Sequence, residues 1–338
     1  MKAQRKLMLA ADKAAPRFRT GGGGRHQGRA ALRQRKENHV LKLNLDQMTT
    51  EKRNQSTMDL DTMTPLEVVT AMNREDAKVP LAIEPLLPRI AQAVEWAIRS
   101  LEQGGRVFYM GAGTSGRLGV LDAAECPPTF GVSPDLIVGL IAGGESAFIK
   151  AVEGAEDSRE MGRADLENRS LNARDLVIGV AASGRTPYVL GGLDYARETG
   201  CHTVAVSCNE GSAVGEAAEL AIEAVVGPEV LTGSTRLKAG TAQKLILNMI
   251  STAAMVGVGK AYQNLMVDVM QTNEKLHVRA ENIVMEATGV DRETAREKIS
   301  AADGSVKTAI TMILADCCVE EAAARLERAR GHVREAIR

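Results

Sequence analysis

Five short apolar runs, separated by segments of helical length, occupy the middle of the chain and constrain its fold. The runs cover residues 107–110, 136–141, 176–181, 203–207 and 221–226. Most of them are continuous rather than alternating, which is typical of strands buried on both faces of a parallel sheet. The segments between them are long enough for crossover helices. The sequence therefore predicts a doubly wound α/β domain over residues 100–262, with a mainly parallel five-stranded sheet.

Helical patterns flank this predicted sheet on both sides. In the predicted N-terminal helical segment, residues 43–99, the order Thr64, Pro65 and Glu67 is typical of a capped helix start. A long apolar helix is expected over residues 238–260. Residues 263–338 are expected to form a C-terminal helical domain, a three-helix appendage with turns near 288–291 and 303–304.

The first 42 residues differ from the rest of the chain in charge. They contain twelve Lys/Arg and two Asp/Glu, whereas the whole chain has a net charge of −1. With four consecutive glycines and few large apolar residues, this segment is predicted to be a disordered basic tail. Its function is open between a nucleic-acid-binding or targeting arm and a merely solvated extension, including one added by a wrong start codon. We favour the latter, because a run of charge alone is a weak signal.

Composition argues against several classes of function. Only 3% of residues are aromatic, which disfavours a base-stacking nucleic-acid surface. The uncharged stretch 245–259 is too short and too polar to span a membrane. Five cysteines, an odd number without a C-x-x-C pair, indicate a reducing, cytoplasmic compartment. The five histidines have no metal-binding spacing, so neither a metal site nor a metal cofactor is predicted.

Two glycine-rich turns follow predicted strands. Residues 111–117 read G-A-G-T-S-G-R, and residues 182–187 read A-S-G-R-T-P. Ligands of open α/β sheets bind at the carboxyl ends of the strands, where glycine backbone and helix N-termini accept anions. Because both turns also offer hydroxyl groups, they favour a compact phosphate monoester. The candidate phosphate- and sugar-binding residues are Gly113, Thr114, Ser115, Gly116, Ser183, Gly184, Arg185 and Thr186.

Two other interpretations of these turns stay open. Dinucleotide-binding folds share the pattern G-x-G-x-x-G, but they place an acidic residue about 20 residues later. Here the second predicted strand ends late, just before Glu145. Alternatively, such turns need glycine and capping residues for backbone geometry alone. The presence of two similar turns favours ligand binding.

Several longer motifs resemble one family of enzymes. They occupy residues 111–119 (GAGTSGRLG), 122–129 (DAAECPPT), 141–145 (IAGGE), 152–157 (VEGAED), 182–188 (ASGRTPY), 237–244 (LKAGTAQK), 264–268 (NLMVD) and 272–279 (TNEKLHVR). In this order they resemble the N-acetylmuramic acid 6-phosphate etherases, which belong to the sugar isomerase (SIS) domain superfamily. The resemblance covers about residues 43–338 and leaves out the basic tail.

The resemblance implies a reaction and two catalytic residues. Family members cleave the ether between C3 of N-acetylmuramic acid 6-phosphate and its lactyl group, which releases D-lactate and N-acetylglucosamine 6-phosphate during peptidoglycan recycling. The elimination needs a base at C2 and an acid at C3, and no cofactor. By motif position, Glu125 matches the general acid and Glu156 the base, and both are expected beside the phosphate-binding edge of the sheet. Lys238 and His277 lie in shared motifs without an assignable role.

The resemblance further implies a homodimer with a small phosphosugar substrate. Two alternatives are a phosphosugar isomerase, which also removes a C2 proton, and a non-catalytic phosphosugar-binding regulator. The related glucokinase regulatory proteins are such regulators, but they are much longer and have two SIS domains. One SIS domain and both glutamates favour the etherase.

Overall fold

The computed structural model describes residues 48–150, 152–271 and 273–338. The predicted basic tail, residues 1–42, lies outside the described residues. Within the described part of the chain, no helix is long and apolar enough to cross a lipid bilayer.

A five-stranded parallel sheet forms the centre of the molecule. Its strands are β1 (Val107–Gly111), β2 (Ile137–Ile141), β3 (Leu176–Val180), β4 (His202–Ser207) and β5 (Leu220–Glu223). They are arranged in the order β2-β1-β3-β4-β5, and every neighbouring pair is parallel. Central strands β1 and β3 are buried along their whole length, as their continuous apolar runs require. The predicted five-stranded parallel sheet is confirmed.

Helices cover both faces of this sheet. In the described part of the chain, three α-helices precede it: α1 (Pro65–Asp76), α2 (Val79–Ile83) and α3 (Leu87–Glu102). The strands are separated by α4 (Gly113–Phe130), α5 (Ser146–Ile149), α6 (Arg159–Asn168), α7 (Pro187–Thr199) and α8 (Ala213–Ala217), and α9 (Lys238–Gly257) follows β5. One apolar core lies between the sheet and α3, α4 and α9, and a second between the sheet and α6, α7 and α8. The arrangement is doubly wound, as expected.

Local sequence explains where the first helix begins. The Thr64 backbone N–H donates to the Glu67 carboxylate at 2.7 Å, and the Thr64 hydroxyl accepts the Glu67 backbone N–H at 3.4 Å. This reciprocal capping box, with Pro65 at the first helical position, confirms the predicted helix start.

The C-terminal region is helical and has an apolar core of its own. After a short antiparallel pair, β6 (Ala261–Tyr262) and β7 (Leu265–Met266), it contains α10 (Glu274–Thr288), α11 (Arg292–Ala301), α12 (Val306–Leu314), α13 (Val319–Arg328) and α14 (Val333–Ala336). The helical pattern predicted three helices in this appendage. The region is more finely divided because residues with positive φ, among them Asp316 and Arg330, interrupt it.

This C-terminal region contacts the edge of the sheet where the strands begin. Asp268 Oδ2 forms ion pairs with the Nζ atoms of Lys307 at 2.8 Å and Lys260 at 3.1 Å. Gly131, which ends α4 with φ 61°, is packed so closely against the Asp268 carbonyl that a side chain would not fit. The carboxyl ends of the strands, where the glycine-rich turns lie, are at the opposite edge.

Candidate active site

The first glycine-rich turn is wound into a helix. β1 ends at Gly111 and α4 begins at Gly113, so Thr114, Ser115 and Gly116 form the first turn of the helix rather than an open loop. A Cβ atom on Gly116 would lie 2.6 Å from the Gly111 carbonyl oxygen. Only glycine therefore permits this close approach of helix and strand. The free amides of this first turn are suited to bind an anion.

Two side chains of this turn face α9. The buried Ser115 hydroxyl donates a hydrogen bond to Gln243 Oε1 at 2.9 Å. The Thr114 methyl group would lie 3.5 Å from a Cβ atom on Gly240, in the first turn of α9. The N-terminus of α9 therefore lies beside the first glycine-rich turn, although it does not directly follow a strand of the sheet.

The second glycine-rich turn joins β3 to α7 at the same edge of the sheet. Gly184 has φ +74°, and its carbonyl accepts the Val214 N–H at 2.9 Å. Asn209, which follows β4, donates from Nδ2 to the Ala182 and Ser183 carbonyls at 3.3 Å each. The turn is thus held from the neighbouring strand. Sequence reasoning missed Asn209, although its position after an apolar strand at this edge could have indicated it.

Replacement of Gly184 by alanine is expected to distort the second turn. The new Cβ atom would collide with the Ser212 Cβ atom, and φ +74° is strained for any L-residue. We expect a loss of about 3 kcal/mol of unfolding free energy, together with weaker phosphosugar binding. Gly289→Ala is the matched control, because Gly289 has φ +78° but nothing within 4 Å of its Cβ position. Denaturant unfolding should show a loss of only about 1 kcal/mol for that control; equal losses would contradict the prediction.

Glu156 lies next to the second turn. Its backbone carbonyl accepts the Tyr188 N–H at 3.0 Å, so this residue is attached to the first turn of α7. Its side chain is exposed. This contact places the Glu156 backbone beside α7, and its catalytic role stays a prediction.

Glu125 does not lie at that edge. It is twelve residues into α4 from Gly113, about 18 Å along the helix axis at 1.5 Å per residue. The expectation that it follows a strand beside the phosphate-binding edge is wrong for a single chain. The reason is that α4 continues to Phe130, with Pro127 and Pro128 inside its last turns. The exposed Glu125 carboxylate is thus carried toward the opposite edge of the sheet.

Asp122 and Cys126, close to Glu125 in sequence, are buried on the inner side of α4. Asp122 Oδ1 accepts hydrogen bonds from Asn248 Nδ2 at 2.6 Å and Ser251 Oγ at 3.1 Å, which link α4 to α9. Burial raises the pKa of Asp122, against the opposing effect of these hydrogen bonds. Burial also raises the pKa of the Cys126 thiol to about 12. Cys126 is 3% exposed, and a thiol in such apolar surroundings is typical of a structural cysteine.

Lys238 and His277 do not meet the glycine-rich turns. The buried Lys238 ammonium donates to Glu75 Oε2 of α1 at 2.6 Å. His277 is exposed on α10, where Nδ1 lies 3.1 Å from Gln271 Oε1. Since α10 belongs to the C-terminal region, the structure separates His277 from the phosphate edge of its own chain.

The two arginines near the turns have different surroundings. Arg117 donates to the Phe148 and Ala147 carbonyls at 2.7 and 2.9 Å, so its guanidinium holds α5. Within the described residues, the Arg185 guanidinium has a single polar contact, at 4.0 Å with the Met48 sulfur. Of the two, Arg185 is the one whose donors stay available to an anion. Among the described residues, no group of three or more His, Cys, Asp or Glu side chains is arranged to hold a metal ion.

Family comparisons agree with this fold and these turns. Residues 89–197 match the model of the glucokinase regulatory protein N-terminal SIS domain, and residues 160–253 match that of the SIS domain. A phosphoheptose isomerase from Francisella tularensis, a solved structure, is 18% identical with a TM-score of 0.48, covering 57% of this chain and 100% of that one. Fold and family models together define a SIS-domain protein.

Curated relatives specify the family. The chain is 62% identical to the N-acetylmuramic acid 6-phosphate etherase of an Exiguobacterium species over 293 residues, which is 87% of this chain and 100% of the relative. It is 59% identical to the etherase of Pectobacterium atrosepticum over 295 residues, 87% of this chain and 97% of that relative. The chain belongs to the N-acetylmuramic acid 6-phosphate etherase family, which confirms the resemblance found in the sequence.

Proposed function

We propose that this protein cleaves the C3 lactyl ether of N-acetylmuramic acid 6-phosphate, giving N-acetylglucosamine 6-phosphate and D-lactate. The observation that carries the proposal is identity of 56–62% to enzymes of that name, over nearly their whole length. The two anion-binding turns at one edge of the sheet supply a place for the 6-phosphate. On this proposal the protein is a carbon–oxygen lyase of amino-sugar recycling that needs no cofactor and acts in the cytoplasm.

Within this proposal, the phosphate lies between the first turns of α4 and α7. Backbone amides of Gly113–Ser115 and of the second turn donate to its oxygens, with the hydroxyl groups of Thr114, Ser183 and Thr186 and the Arg185 guanidinium around them. The N–H groups of Gly116 and Gly184 instead donate to the Ala112 and Ala181 carbonyls, at 3.2 and 2.9 Å, and hold the two turns in shape. A phosphate held by several donors at two helix N-termini is bound strongly enough to fix the sugar for proton transfer. Glu156, beside α7, is then the base that removes the C2 proton.

We further propose that Glu125 acts in the active site of a second copy of the chain. The observation behind this step is the surface around Glu125. Leu121, one turn earlier on α4, is 48% exposed, and Met249 and Val256 on the adjacent helix α9 are 37% and 48% exposed. An apolar surface of this kind on neighbouring helices is suited to pair with its own copy in an isologous homodimer. The partner's Glu125 would then protonate the departing lactate.

A direct assay tests the proposed reaction. D-lactate release is measured with N-acetylmuramic acid 6-phosphate and, in parallel, with the unphosphorylated sugar. We expect lactate from the phosphorylated substrate only. Interconversion of aldose and ketose phosphates without lactate would instead support an isomerase, and tight phosphosugar binding without turnover would support a regulator.

A further inference from the structure

Gln243 on α9 is a buried amide next to the proposed phosphate site. It is 1% exposed, and its Oε1 atom accepts the only proton of the Ser115 hydroxyl. Its Nε2 atom is buried and has no hydrogen-bond partner in the described parts of the chain. An unpaired buried donor is unfavourable. Gln243 therefore has a free amide donor, whereas Ser115 has no free donor.

This arrangement is unsuited to bind phosphate through Ser115. A serine hydroxyl has one proton, and the oxygens of a phosphate dianion only accept hydrogen bonds. As long as Ser115 donates to Gln243, its hydroxyl presents only lone pairs to a phosphate. The negatively charged phosphate oxygens repel these lone pairs. Exchange of the amide O and N atoms of Gln243 removes the conflict. It requires rotation about the last side-chain bond only, which is a soft torsion.

We propose that Gln243 is a positioning residue that turns Ser115 into a phosphate donor. In the ligand-bound state Gln243 Nε2 donates to Ser115 Oγ, and the Ser115 proton is directed to a phosphate oxygen. The free donor of Gln243 is used in this state, and the amide oxygen that loses its partner is the less costly of the two atoms to leave unpaired. This inference rests on the proposed phosphosugar function and adds the residue that selects for the phosphate.

Two substitutions separate this role from simple packing. Gln243→Glu keeps the shape of the side chain but offers only acceptors when ionised. The Ser115 hydroxyl therefore continues to donate to residue 243, and the new carboxylate has the same sign of charge as the phosphate. We expect it to weaken the binding of N-acetylglucosamine 6-phosphate by roughly 100-fold or more. Gln243→Met removes the competing acceptor and leaves Ser115 free to donate, and a loss below about 10-fold is expected. For both variants KM should rise while kcat at saturation changes little.

The measurement is titration calorimetry with N-acetylglucosamine 6-phosphate, and with N-acetylglucosamine as control, on the full chain. Thermal unfolding first establishes which variants fold; Gln243→Met carries the test if Gln243→Glu does not. In a Ser115→Ala background, Gln243→Met should cause no further loss, because Gln243 acts through Ser115. Wild-type affinity in every Gln243 variant that folds, or an equal loss with and without Ser115, would overturn the inference. If the wild-type protein does not prefer the phosphorylated sugar, the proposed function fails instead.

Discussion

Replacement of Glu125 by glutamine is expected to lower kcat by roughly 10²- to 10⁴-fold, because glutamine cannot transfer a proton to the departing lactate. Glu156→Gln should cause a loss of similar size through the C2 proton. Both side chains are exposed, so neither change should alter the unfolding midpoint by more than the small amount typical of surface substitutions. D-lactate release under saturating substrate is the measurement, and near-normal turnover of either variant would remove that glutamate from the mechanism.

Mixed dimers test whether Glu125 serves the partner's active site. One chain carries Glu125→Gln and the other Glu156→Gln, with different affinity tags, and dimers that contain both tags are purified. If Glu125 acts across the interface, one site of each mixed dimer contains Glu156 from one chain and Glu125 from the other. Such dimers should recover about half of the wild-type activity. If both glutamates act within one chain, every site is defective and no activity returns.

A matched control makes the mixed-dimer result specific. Dimers that combine Glu125→Gln with Glu125→Ala have the same tags and the same interface, but no intact site in either arrangement. They should stay inactive. Recovery in this control would mean that exchange with contaminating wild-type enzyme produced the activity. Elution of the wild-type protein as a monomer would contradict the premise that a second copy is needed.

The sequence was sufficient to predict the sheet because the information there is local. Each strand is a continuous apolar run, and the glycines of the first turn are required by contacts only a few residues apart, such as Gly116 with Gly111. The parallel direction of the strands follows from the crossover segments of helical length between them. The family motifs likewise gave the reaction, since they are contiguous strings.

The position of Glu125 could not be predicted in the same way. A motif assigns a role to a residue but does not say how far a helix carries it from the preceding strand. Pro127 and Pro128 would normally suggest an earlier helix end, yet α4 continues to Phe130. The roles of Gln243 and Asn209 were missed for a related reason, because their partners Ser115 and Thr50 are 128 and 159 residues away. Such contacts are set by tertiary packing and leave no periodic signal.

The partner of Lys238 could not be predicted from the sequence either. Its place in a shared motif suggested a site residue, but its ammonium pairs with Glu75, 163 residues away, in a buried contact between α9 and α1. The Glu229 carboxylate accepts the backbone N–H groups of Lys238 and Ala239 at 3.1 and 2.9 Å, which fixes the start of α9 beside the first glycine-rich turn. Lys238 therefore joins the N-terminal helices to the helix that carries Gln243.

Removal of one partner of the buried Lys238–Glu75 ion pair is expected to be strongly destabilising. Glu75→Met leaves the Lys238 ammonium buried without its carboxylate, and we expect a loss of about 3–5 kcal/mol of unfolding free energy at pH 7. The double variant Glu75→Met/Lys238→Met should lose less, because no unpaired charge is left. Lys78→Met is the control: this lysine also pairs with Glu75, but its side chain is 58% exposed, so a loss below about 1 kcal/mol is expected. Denaturant unfolding measures all three.

The pH dependence of that loss identifies the carboxylate as its source. Burial opposes ionisation of Glu75, but the hydrogen bonds from Lys238 and Lys78 prevail and lower its pKa to about 2, from 4.5. A carboxyl group with a lowered folded-state pKa stabilises the fold above its unfolded pKa, and the contribution disappears as pH falls through the folded value. The difference in unfolding free energy between wild type and Glu75→Met should thus be constant above about pH 5 and shrink between pH 4.5 and 2. A difference that stays the same down to pH 2 would mean that lost packing, rather than the ion pair, accounts for the effect.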